Sequence, residues 1–311
     1  MLGTPQSRTA SPPRWQIVTA FAAVYIIWGS TYIGIRFAVE TLPPFSMAGS
    51  RAFVAGAILY VWARLRGAPK PEFVHWRAAT GVGGLLLLGG NGLLSWAERR
   101  VPSGVSALII GSVPLWMVLL EWLWHRGPRP TVGIVSGLVV GFVGLGFLVT
   151  PGRLGGGTRL DIYGVASLLV AAFLWAAGSL YSRRARLPSS QLLATAMEML
   201  AGGALLLMAG GSGGEWVHFE PARVTTRSVV AWLYLTSFGS LIGFTAYVWL
   251  LKATTTARVS TYAYVNPVVA VCLGWVLAGE QITAQTLVAA AAIILAVVII
   301  VTQSAEVPSE V

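Results

Sequence analysis

Apolar stretches long enough to cross a lipid bilayer recur along nearly the whole chain, and they leave it few other ways to fold. We read ten, at residues 15–38, 45–65, 76–97, 103–123, 131–150, 161–182, 191–211, 226–250, 256–277 and 283–303. A helix needs about 20 apolar residues to cross a hydrocarbon core about 30 Å thick, and each run meets that length. The apolar residues are continuous rather than alternating, which favours helices over barrel strands. Prolines, glycines and charges cluster between the runs, as at Pro43 and Pro44, Arg64 to Pro71, Gly127 to Pro130 and Arg183 to Pro188. With 56% hydrophobic and 10% charged residues, a water-soluble fold would lack the polar surface to cover its core. The expectation is an all-α membrane protein with ten transmembrane helices.

Residues 1–14, rich in Ser, Thr and Pro, read as a disordered cytoplasmic tail, and 304–311 as a second one. The apolar run starting at Trp15 continues past Tyr32, which argues against a cleaved signal. The net charge of +10 is informative through its distribution. Placing the N-terminus in the cytoplasm puts 13 Lys and Arg in inward-facing segments and 6 in outward-facing ones. That bias predicts cytoplasmic termini, and a bacterial-type inner membrane is the expected location. The basic residues are scattered over short loops rather than gathered into one patch, which argues against a nucleic-acid partner. Cys272 is the only cysteine, so neither an intrachain disulfide nor a thiolate metal site is available. His75, His125 and His218 fall in loops, and no phosphate-binding loop or intramembrane Ser–His pair occurs. Neither an enzyme, a cofactor nor a metal is expected.

An internal repeat organises the runs. Trp28 and Trp175 are separated by 175 − 28 = 147, and Gly56 and Gly203 by the same offset in the following run. Pro114 and Pro267 differ by 153, as do Trp122 and Trp275. Two five-helix halves follow, 15–150 and 161–303. An odd number of crossings per half inverts the second relative to the first. Chance similarity between apolar sequences is the competing explanation, weakened by agreement across two runs per half. Inverted halves around one site can exchange inward-open and outward-open packings of similar energy. Pro114 and Pro267 each remove an N–H within a run, which makes them hinge candidates or simply sites where a neighbour or water satisfies a freed carbonyl.

Polar residues at helical spacing mark the faces that must turn away from lipid, because desolvating them in hydrocarbon costs several kcal/mol. Tyr25, Trp28, Tyr32 and Arg36 form one such stripe, Asn91, Ser95 and Glu98 another, and Ser237, Ser240, Phe244 and Tyr247 a third. Tyr262 and Asn266 lie one turn apart. Trp28, Tyr32, Asn91, Trp175, Glu198, Phe244, Tyr247, Tyr262 and Asn266 are the candidate substrate contacts. For the aromatics, helix packing is the alternative. Arg51, Glu98 and Glu198 are the candidates for charge recognition or ion coupling, with a structural tie to a neighbouring helix as the competing role.

Several short segments resemble the drug/metabolite transporter superfamily, specifically its EamA-type permeases and their YedA-like branch. They are Tyr25 to Tyr32 (YIIWGSTY), Gly90 to Gly92 (GNG), Val101 to Gly104 (VPSG), Glu198 to Ala201 (EMLA), Tyr262 to Ala270 (YAYVNPVVA) and Gly279-Glu280. Their order extends over essentially the whole chain. The resemblance implies two inverted five-helix repeats, cytoplasmic termini, a central cavity and export of metabolites such as amino acids or toxic analogues. Its partners would be a small-molecule substrate, membrane lipids and a proton or other coupling ion, in a monomer or homodimer. A flippase for a lipid-linked sugar is the alternative, expected to have a cavity open sideways to the bilayer. A membrane enzyme would need convergent catalytic groups, and Glu98 and Glu198 have neither metal ligands nor a nucleophile beside them in sequence.

Overall fold

The computed structural model describes residues 13–125, 131–150 and 160–306. Residues 1–12 and 307–311 of the expected tails lie outside the described residues, as do the loops at 126–130 and 151–159. Arg8, Arg126, Arg129, Arg153 and Arg159 of the charge argument fall there too.

Among the described residues every regular element is helical. Helix α1 spans Arg14–Ala38, α2 Pro44–Leu65 and α3 Phe73–Ala97. They are followed by α4 Ser103–Ile110, α5 Val113–His125, α6 Val132–Val149, α7 Ile162–Arg184 and α8 Gln191–Ser212. The chain closes with α9 Thr226–Ala253, α10 Tyr262–Ala278 and α11 Ala284–Glu306. Counting α4 and α5 together, eight helices are long and apolar enough to cross a membrane, and two further apolar helices, Val132–Leu148 and Val265–Ala278, are shorter. Large apolar side chains face outward, with Ile26 and Val143 each 66% exposed. Acyl chains, unlike water, solvate such a surface at no cost.

The helices start where the sequence supplies a cap. Asp161 accepts from the Gly164 N–H at 2.7 Å, and Thr131 from Ile134 at 3.2 Å. The first turns of α2 and α4 instead borrow carboxylates from distant loops. Glu215 accepts from the Phe45 and Ser46 N–H groups at 3.0 and 2.8 Å, and Glu280 from those of Ser103 and Gly104 at 2.7 and 3.1 Å. A negative group at an exposed helix start satisfies orphan donors and the helix dipole together. Gly279, at φ +64°, ends α10 in the left-handed conformation that glycine adopts most readily.

Two boundaries differ from the sequence reading. The run at 103–123 is broken at Gly111 and Ser112, so Pro114 falls in the first turn of α5, where a missing N–H removes no helical bond. The run at 256–277 opens with a one-turn helix, Thr256–Val259, before α10 begins. Pro267 does lie inside its helix, and Gly111 packs against it: a Cβ built on Gly111 would stand 3.3 Å from the Pro267 ring.

The most extensive pairings join α2 to α8 and α6 to α11. In the first, Gly56 and Gly203 let the backbones touch. A Cβ on Gly56 would come within 2.8 Å of the Leu200 nitrogen, and one on Gly203 within 2.7 Å of the Phe53 nitrogen. The two contacts are reciprocal, since 203 − 56 and 200 − 53 both equal 147.

Candidate functional site: a central aromatic cavity

Seven of the helices converge on one cavity enclosing about 750 Å³ of atom-free space, its open part included, and Ile110 of α4 lines it too. Its wall takes Trp28, Thr31 and Tyr32 from α1, Arg51 from α2, and Gly90 and Asn91 from α3. Ala171 and Trp175 of α7, Met199 of α8, Gly239, Ser240 and Phe244 of α9, and Tyr262 and Asn266 of α10 complete the main contributions.

Three of these helices are locally wound as π-helix, at Val24–Trp28, Gly84–Gly92 and Leu235–Phe244, each carrying cavity residues. A wider turn re-aims side chains and offers backbone groups to partners, which is why such segments cluster at functional sites. One consequence is visible: the Trp28 indole N–H donates to the Gly239 carbonyl at 3.3 Å.

Four aromatic rings at the site pack against one another. Trp28 meets Trp175 edge to face with centroids 5.5 Å apart, Tyr247 at 4.7 Å and Tyr262 at 5.7 Å. Tyr247 also touches Trp175 at 5.5 Å and Tyr262 at 5.8 Å. These separations lie in the range where aromatic pairs gain about 0.5–1.5 kcal/mol beyond area burial. Each indole is seated on a glycine. A Cβ on Gly243 would come within 2.5 Å of the Trp28 ring nitrogen, and one on Gly90 within 2.7 Å of the Trp175 ring. Any larger residue there would displace the indole.

Polar groups hold the rings in place. The Trp175 indole N–H donates to the Tyr247 hydroxyl at 3.1 Å, and that hydroxyl is also bonded to Ser179 Oγ at 2.6 Å. Arg51, 5% exposed, donates from Nη2 to Asn91 Oδ1 and from Nη1 to Ser240 Oγ at 3.5 Å. Its Nε and the Oδ1 of Asn266 are buried without a partner.

The candidates from sequence therefore separate into groups. Trp28, Tyr32, Arg51, Asn91, Trp175, Phe244, Tyr262 and Asn266 line the cavity, and Tyr247 stands directly behind its aromatic wall. Glu198 does not reach it. Neighbours on a helix point about 100° apart, and here Met199 takes the wall while Glu198, fully buried, accepts from Ser182 Oγ at 3.2 Å. Glu98 also lies off the wall, buried at the end of α3 with neither carboxylate oxygen partnered, while its backbone carbonyl accepts from Arg36 at 2.8 Å. Thr31, Gly90, Met199 and Gly239 are wall residues that polar spacing did not single out. Three of them carry no side-chain polarity that a pattern could register.

Comparison with known proteins agrees with this architecture. The sequence profile described as the EamA-like transporter family matches residues 14–150 and again 162–302. The chain is 38% identical over 265 residues to a protein of Escherichia coli (strain K12) named "Uncharacterized inner membrane transporter YedA", covering 85% of this chain and 83% of that one. It is 26% identical to a WAT1-related chloroplastic protein of Arabidopsis thaliana, over 88% of this chain and 66% of that one. A solved crystal structure superposes with a TM-score of 0.65 over 95% of this chain and 100% of the other, and at 22% identity that likeness speaks to the fold alone. Two profile matches that together span most of the chain, and a relative of this identity and coverage, place it plainly: the chain belongs to the EamA-like transporter family.

Proposed function

We propose that the chain is a secondary transporter of a bacterial inner membrane, exporting small amphipathic metabolites such as amino acids by alternating access around the aromatic cavity. In this reading ten helices form two inverted repeats, 15–150 and 161–303, with both termini cytoplasmic. A proton or other ion drives the cycle, Arg51, Glu98 and Glu198 supply charge recognition or coupling, and Pro114 and Pro267 act as hinges.

The observation that carries it is the paired construction of the cavity wall. Trp28 rests on Gly243 and Trp175 on Gly90. The two tryptophans are 147 residues apart and the two glycines 243 − 90 = 153, the same two offsets that relate the prolines and the Gly56–Gly203 pair. A wall assembled from equivalent parts of two halves suits a site whose gates exchange roles. The adjoining Gly111–Pro267 contact supports a joint between the broken helices.

Purified protein in proteoliposomes tests this. Uptake of a labelled amino acid mixture should be sharply lowered by Trp28→Ala and by Glu198→Gln while yield and monodispersity persist. Wild-type rates in both variants would overturn the site. Labels at the two termini that react from opposite sides of the membrane would overturn the topology.

A further inference from the structure

We propose that the cavity is selective for organic carboxylates with an aromatic or apolar body, the carboxylate received by Arg51 and a ligand N–H or O–H by Asn266. This rests on the reading of the cavity as the substrate site and names what enters it.

Among the described residues lining the cavity, Arg51 is the only charged one. Its hydrogen-bond partners, Asn91 and Ser240, are neutral, and although the Glu98 carboxylate is near enough to act on it electrostatically, no carboxylate among the described residues pairs with it directly. The Nε–H is buried with no acceptor. A guanidinium presents its N–H groups in a planar fork matched to a carboxylate, and a buried donor left unpaired is costly. Both point to an anionic oxygen as the missing partner. Asn266 is 2% exposed and its Oδ1 is an orphan acceptor. A carboxylate cannot satisfy it, whereas an N–H or O–H elsewhere on the same molecule does.

The remainder of the wall sets the body of the ligand. Trp28, Trp175, Phe244 and Tyr262 offer rings, and Leu87, Leu94 and Met199 are aliphatic or thioether surface. Among the described residues no carboxylate lines the cavity: Glu198 turns to Ser182 and Glu98 lies at the end of α3. A cationic solute would face the Arg51 guanidinium with no acid on the described wall to receive it, so organic cations are disfavoured.

Matched probes test the charge preference without any variant. Purified wild-type protein in detergent is titrated with 3-phenylpropionate, its neutral amide 3-phenylpropionamide and the cation phenethylammonium, following heat of binding and thermal stabilisation. The acid should bind about tenfold or more tightly than the amide, the difference expected from one charge-assisted pair, and the amine no better than the amide. Arg51→Gln should abolish the preference and Arg51→Lys should keep part of it, which separates lost recognition from a misfolded variant. Equal binding of acid and amide, preference for the amine, or no binding of the acid at millimolar concentration by folded protein would overturn the proposal. Selective binding without flux in vesicles would sink the transport reading alone. Flux of phenethylammonium without acid selectivity would sink this one alone.

Discussion

Trp28 and Trp175, 147 residues apart in the chain, meet edge to face with ring centroids 5.5 Å apart at the wall of the central cavity. Each occupies space that a glycine on another helix leaves open. The contact joins α1 to α7, so a shift of either helix relative to the other would disturb it.

Gly90→Ala and Gly243→Ala should each displace the indole seated on them, because the added carbon would sit 2.7 and 2.5 Å from ring atoms. Overpacking of this kind costs about 1–3 kcal/mol, and transport should fall with it. Tryptophan fluorescence and thermal unfolding check both variants, and unchanged spectra together with an unchanged midpoint would refute the seating.

Backbone contact between α2 and α8 predicts that Gly56→Ala and Gly203→Ala destabilise by similar amounts, about 1–3 kcal/mol, since the obstacles are backbone nitrogens that cannot swing away. Gly146→Ala is the control: nothing stands within 4 Å of its added carbon. It should be neutral or slightly stabilising, by up to about 1 kcal/mol from helix propensity. Thermal unfolding in detergent reads all three.

Removing the Tyr247 hydroxyl leaves the Trp175 indole N–H and Ser179 without their shared partner. Tyr247→Phe should cost about 1–3 kcal/mol, the penalty of an orphaned buried donor. Ser179→Ala should cost less, and the double variant less than the sum, because all three groups belong to one network. Additive effects would show that the hydroxyl acts on each partner separately.

Glu215 and Glu280 each bind the start of a helix from a distant loop. Glu215→Ala and Glu280→Ala should lower stability by about 1–2 kcal/mol, as loss of a helix cap does. Hydrogen exchange should quicken at Phe45 and Ser46 in the first variant and at Ser103 and Gly104 in the second. Exchange that is uniform across the protein would mean the carboxylates do not cap locally.

Much of the chain is legible without coordinates because lipid imposes a simple demand: long apolar runs must become helices with their own backbone bonds satisfied. The runs at 45–65 and 191–211 correspond closely to α2 and α8. The polar stripes turn to the cavity in part: Trp28 and Tyr32 of α1, Asn91 of α3, Ser240 and Phe244 of α9 and Tyr262 and Asn266 of α10 line it, whereas Ser237 of the α9 stripe is exposed. The failures have equally physical causes. The break at Gly111 and Ser112 depends on how α4 and α5 pack, and a proline three residues later is compatible with either a kink or a new first turn.

By itself the sequence determined the helical class, the approximate boundaries, the candidate repeat and the identity of most polar wall residues, since each follows from local composition and the cost of placing polar atoms in lipid. Only the tertiary structure decided that Met199 rather than Glu198 faces the cavity, that three helices widen to π-turns beside it, and that Arg51 meets neutral partners and keeps a donor free. Those outcomes depend on helix rotation and on contacts between residues far apart in the chain. Neither quantity is encoded in the spacing of apolar residues along one helix.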